Sequence, residues 1–91
     1  MLHPFSEKAF LEFVKKQPPE KKYDYFDPYY CALAQYGKSL GLRVKAGGSN
    51  FAIYENDYLR KYVTILDEHP YAAGEPPWTF GALRKRLEQG G

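Results

Sequence analysis

The sequence predicts an α+β domain, mostly α, in which three or four short helices pack with a small β-hairpin. Two patterns predict it. Apolar residues recur at three- and four-residue spacing in four stretches, each preceded by a residue able to cap a helix. Between the second and third, residues 42–46 alternate apolar with basic, the run Gly47-Gly48-Ser49-Asn50 supplies a turn, and Phe51-Ala52-Ile53-Tyr54 returns. With 91 residues, 44% hydrophobic and 18% aromatic, the chain holds enough apolar surface for one core. Residues 1–91 therefore read as one small globular domain, frayed at 1–5 and 89–91.

Ser6 caps the first helix, and Glu7 complements the positive end of its dipole. Phe10, Leu11, Phe13 and Val14 form its apolar stripe, and Pro18-Pro19 stops it after residue 17. Asp27-Pro28 signals a second helix over 28–40, because proline's missing N–H costs nothing in a first turn. Gly41 is its left-handed C-cap. Small residues (Cys31, Ala32, Ala34, Gly37) let another element approach closely, which makes this the central helix. The hairpin over 42–54 follows. Asn56 or Asp57 then caps a third helix through Leu66, although Val63-Thr64-Ile65 suits a strand as well. Residues 69–78 read as an irregular loop, and Thr79 caps a last helix with Phe80, Leu83 and Leu87 inward.

The totals exclude several classes of function. Thirteen basic against eleven acidic residues leave +2, too little for the basic stripe of a nonspecific nucleic-acid binder. A DNA mimic needs the opposite excess. With Cys31 alone, neither an internal disulfide nor a cysteine zinc cluster is available. Two histidines among scattered carboxylates show no metal-ligand spacing, so neither metal nor cofactor is expected. The Gly47-Gly48-Ser49-Asn50 run lacks the Gly-Lys-Ser/Thr ending of a phosphate loop. No apolar stretch approaches the ~20 residues of a membrane span, and the first residues lack a signal peptide's pattern. Cytoplasmic residence in a bacterial cell is expected.

Cys31 is the one candidate nucleophile, since backbone N–H groups at a helix start can lower a thiol's pKa. It needs a base, and His69, with Asp67 or Glu68 to orient it, is the available one. The alternative is a buried structural cysteine. The segment Tyr23-Asp24-Tyr25-Phe26-Asp27-Pro28-Tyr29-Tyr30 is the most distinctive stretch. Its rings can anchor a partner, because rigid aromatics bury much area at small entropic cost. Equally, they can plug the core, with Tyr25, Phe26 and Tyr30 inward and Tyr23 and Tyr29 exposed. Glu75-Pro76-Pro77-Trp78 reads either as a recognition loop anchored by Trp78 or as packing beside the last helix. Arg84, Lys85 and Arg86 are a basic set able to meet phosphate or simply to face solvent.

At Tyr23-Asp24-Tyr25, Cys31-Ala32-Leu33-Ala34-Gln35-Tyr36 and Thr79-Phe80-Gly81-Ala82-Leu83 the chain resembles small uncharacterised proteins of bacteriophages and prophages. The resemblance implies a context: accessory proteins of mobile elements that bind a host protein, inhibitors of defence such as anti-CRISPR proteins among them. It carries no site residues. Together these readings point to a non-enzymatic protein-binding module with Tyr23, Asp24, Tyr29 and Trp78 as candidate contacts. Nucleic acid is not an expected partner, and self-association is open. The alternatives are a thiol enzyme using Cys31 with His69, or a weak nucleic-acid-binding accessory protein.

Overall fold

In the computed structural model, which describes residues 3–47 and 49–89, local signals in the sequence place most of the element ends. Helix α1 (Glu7–Lys15) begins where expected: the Ser6 hydroxyl accepts the Ala9 N–H at 3.1 Å. Helix α2 (Ala32–Ser39) ends at Gly41, whose φ of 78° is the left-handed conformation glycine adopts without strain. Its start lies four residues later than predicted. Asp27 instead opens a turn, its carbonyl accepting the Tyr30 and Cys31 N–H groups and its side chain the Tyr29 N–H. An aspartate before a proline serves either structure, and here the turn wins. Helix α3 (Phe80–Gln89) follows Thr79, whose hydroxyl takes the Ala82 N–H at 3.3 Å.

The prediction of a mostly helical chain with a hairpin is overturned. Three strands, β1 (Arg43–Ala46), β2 (Asn50–Glu55) and β3 (Tyr58–Thr64), form an antiparallel meander in the order β1-β2-β3. Helix and sheet thus stand in similar measure among the described residues. Asn56 and Asp57, read as helix caps, are the two central residues of the β2–β3 hairpin, with φ of 52° and 66°. Positive φ at both is the geometry of the two-residue hairpin turn whose twist matches paired strands, and Asn and Asp tolerate it best after glycine. Strand pairing of the Tyr- and Val-containing run then outweighs its helical spacing. The register slips once, between Ile53 and Tyr54, leaving Arg60 as the unpaired residue opposite them.

One face of the sheet carries the core. Phe51 and Ile53 on β2, and Val44 on β1, lie under α2, while α1 packs on α3. Phe10, Phe51 and Phe80 are the largest fully buried side chains, each stabilising the fold by roughly 1.5–3 kcal/mol through apolar burial. Phe10 meets Tyr36 edge-on at 5.4 Å, Phe13 meets Phe80 at 6.1 Å, and Phe5 meets Phe51 at 6.1 Å. Residues 3–5 are therefore tied down, and the Pro4 carbonyl accepts a hydrogen bond from the Tyr36 hydroxyl. Gln89, also read as frayed, is the last residue of α3, and residues 1–2 and 90–91 lie outside the described residues. So does Gly48 of the β1–β2 turn.

Candidate functional site

The segment from Tyr23 to Tyr30 folds back on itself as a closed loop. Asp24 and Asp27 each turn their side chain onto a backbone N–H two residues ahead, at Phe26 (3.1 Å) and Tyr29 (2.8 Å). The Asp24 N–H donates to the Tyr30 carbonyl, closing the ring of backbone. Helix α2 then clamps it: Lys38 Nζ donates to the Tyr29 carbonyl at 2.6 Å, and Gln35 Nε2 to the Tyr30 carbonyl at 2.9 Å. The Lys38 ammonium also sits 4.4 Å from the centre of the Tyr30 ring.

This frame decides which rings face outward, and it reverses the sequence expectation for Phe26, Tyr30 and Tyr23 while keeping it for Tyr25 and Tyr29. Phe26, read as a core residue, is 74% exposed, and Tyr30 is exposed too. Tyr23, read as exposed, is 4% exposed. Its ring packs edge-on against Phe80 at 5.4 Å, and its hydroxyl donates to the Ala73 carbonyl at 2.8 Å. Tyr29 is exposed as expected. Alternation along the segment does not identify the inward ring, because the two aspartate turns break it.

Trp78 joins the loop rather than standing apart. Its ring stacks on Tyr25 at 6.1 Å and meets Phe26 edge-on at 5.0 Å, and its Nε1 donates to the Gly74 carbonyl. Three of the four candidate contacts, Tyr23, Asp24 and Trp78, line one open hollow of about 430 Å³ with Lys22, Tyr30 and Gln35. Tyr29 turns elsewhere, into a hollow of about 270 Å³ with Arg43, Lys45, Tyr54 and Asp57. Phe26 and Tyr30 were not selected from the sequence. The paired aspartates at Asp24 and Asp27 were the signal that the loop turns between them.

The structure does not pair Cys31 with His69. Cys31 is 6% exposed in the core as the N-cap residue of α2. Burial raises its thiol pKa above the ordinary range, against the smaller opposing effect of the Ala34 and Leu33 N–H groups. His69 is held by Glu7: its N–H donates to Oε1 at 3.1 Å, and its Nδ1 lies 2.8 Å from Oε2. Glu68 approaches the same pair, so that one ligating atom from each of Glu7, Glu68 and His69 lies within 4.8 Å of the others. Sequence spacing does not show this set, because Glu7 is 61 residues from Glu68. A carboxylate–imidazole trio suits zinc or manganese chemically. Glu7 is already committed to bonding the His69 backbone and ring, however, which joins the 66–71 segment to α1.

The basic set on α3 does not form a cluster. Arg84 pairs with Glu88, which lowers that carboxyl's pKa chiefly through their hydrogen bond. Arg86 turns inward to the Ala72 carbonyl and the Tyr23 hydroxyl.

Burial also raises the pKa of Tyr23, against the lowering effect of Arg86, and that of Tyr36. All three raised groups are neutral when protonated, so the folded chain binds protons more tightly than the unfolded one. Their contribution to stability is complete at neutral pH, and it falls as pH rises past 9.0 for Cys31 and 10.0 for the tyrosines. Urea midpoints measured from pH 7 to 11 are expected to hold level to about pH 8.5 and then decline. A midpoint that rises across that range would contradict this assignment.

The fold and its surfaces thus define a small α+β domain: three helices on one side of a three-stranded meander, with an aromatic loop fixed at its margin. No family model, no curated protein and no solved structure matches the chain. Among the described residues no helix is long and apolar enough to cross a membrane.

Proposed function

We propose that this chain is a non-enzymatic protein-binding module whose contact surface is the aromatic loop. The observation that carries the reading is the outward placement of Phe26, Tyr29 and Tyr30 on a loop held by five directed hydrogen bonds. Rings fixed before binding lose little entropy on contact, which is what distinguishes anchor residues from incidental surface. Asp24 frames the loop, Trp78 backs Phe26, and Tyr23 supports both from below. The resemblance to phage accessory proteins supports a host or defence complex as the kind of partner, and inhibition by occupancy as the mode.

The test is affinity capture from bacterial lysate on three immobilised proteins: the wild-type chain, Phe26→Ser/Tyr30→Ser, and Cys31→Ser. The wild-type and Cys31→Ser chains are expected to retain the same protein. The double variant should lose at least about tenfold in retention, the effect of removing two anchoring rings, while its circular dichroism is unchanged. Equal capture by the double variant would move the contact off this loop. Loss of biological effect in a folded Cys31→Ser chain, with capture intact, would favour the thiol reading instead.

A further inference from the structure

The outer face of the sheet carries a second set of side chains that the aromatic loop does not use. Strand alternation and the pairing register determine which residues share it. With Phe51 and Ile53 inward, Ala52 and Tyr54 point to the other side, Ala52 buried beneath its neighbours and Tyr54 half-buried; Lys45 and Tyr62 flank Ala52, and Arg43 and Leu59 flank Tyr54. No helix packs on this side, and Tyr62 is 71% exposed. Tyr29 reaches its β1 margin, sharing a hollow with Arg43, Lys45 and Tyr54. The face is therefore a row of tyrosines with two cations beside them.

The cations of this face are Arg43 and Lys45; Lys61, opposite Ile53, lies over the Phe5 ring on the inner face, and Lys38 is held at the Tyr29 carbonyl. Two carboxylates, Glu55 and Asp57, lie in the β2–β3 hairpin. Both carboxylates are held in exposed ion pairs, Glu55 with Arg60 at 2.8 Å and Asp57 with Arg43 at 3.2 Å. Such pairs are weak and exchangeable, so a phosphate can replace Asp57 on Arg43. Among the described residues Lys45 forms no ion pair with a carboxylate.

We infer that this face binds single-stranded nucleic acid, with bases on Tyr54 and Tyr62 and backbone phosphates on Lys45 and Arg43. Exposed rings on an antiparallel sheet give each unpaired base a stacking surface irrespective of sequence. Tyr54 and Tyr62 stand on neighbouring strands of this face, offset along the sheet on either side of the register slip, so each can take a separate base. A duplex offers no free base face, so it gains only the phosphate contacts.

Fluorescence anisotropy with labelled twelve-nucleotide dT and rU strands tests this, with a twelve-base-pair duplex as the comparison. The wild-type chain is expected to bind the single strands in low salt and to prefer them to the duplex. Two or three phosphates in contact set a slope of about −1.4 to −2.1 in log affinity against log salt, at about −0.7 per phosphate. Tyr62→Ser should weaken binding about tenfold, the cost of losing one stacked base. Asp57→Asn keeps the positive-φ turn residue type but frees Arg43, and should tighten binding by about two- to fivefold. Binding by dT and rU alike identifies the base and phosphate as the ligand; preference for rU assigns a further contact to the 2′-hydroxyl. No anisotropy change at 100-fold excess protein over a ~1 µM probe would overturn the inference and leave the face to a protein or to a second copy. Equal affinity for duplex, or no effect of Tyr62→Ser in a folded chain, would overturn it as well.

Discussion

Phe51→Ala is expected to remove a large share of the domain's stability. Phe51 is fully buried on the central strand, meets Phe5 edge-on at 6.1 Å, and lies between Ala46 on β1 and Val63 on β3. Truncating a buried phenylalanine costs about 3–5 kcal/mol, part in lost transfer free energy and part in the cavity left behind. A domain of this length holds only about 5–14 kcal/mol in all. Each kilocalorie lowers Tm by about 4–8 °C, so a fall of at least about 12 °C is expected. Urea denaturation followed by Trp78 fluorescence should show a lower midpoint with an unchanged slope. Phe51→Leu, which fills most of the space, should cost much less. Equal losses in the two variants would mean that Phe51 does not fill a rigid site.

Gly37→Ala comes second and has the opposite sign to the usual helix substitution. Alanine in place of a mid-helix glycine ordinarily gains about 1 kcal/mol. Here a Cβ on Gly37 would stand 2.6 Å from Val44 Cγ2, closer than carbon atoms approach, and 3.2 Å from the Phe51 ring, a tight contact. Overpacking of this kind costs about 1–3 kcal/mol or more. Since Val44 is the obstacle, Gly37→Ala should cost little when introduced into a Val44→Ala chain. A double-mutant cycle measured by thermal unfolding should show a coupling of at least about 1 kcal/mol. Additive effects would contradict the close α2–β1 approach.

Much of the fold was legible because it depends on local chemistry. Ser6, Gly41 and Thr79 act within a turn of their own position, and each marks a helix end as expected. The small residues of α2 announced a close approach, which Gly37 makes against Val44 and Phe51. Residues 56–66 were misread for an equally physical reason. Tyr58, Leu59, Tyr62 and Ile65 match helical spacing, but the first three are held by pairing with β2 and Ile65 by burial in the core, contacts that local periodicity does not contain. The candidate contacts divided along the same line. Asp24 and Asp27 order the loop by bonds spanning two residues, whereas Tyr23 is buried by Phe80 and Ala73, about fifty residues away.

By itself the sequence determined helix caps, turn residues, the lone cysteine, the small net charge and an aromatic content sufficient for one core. Only the tertiary structure decided which rings face outward, that Glu7 holds His69, and that the β1 cations Arg43 and Lys45 share a sheet face with Tyr54 and Tyr62. Composition adds charges over the whole chain, while a folded sheet sorts them by face. Alternate side chains point to opposite sides of a strand, so which ones meet depends on register.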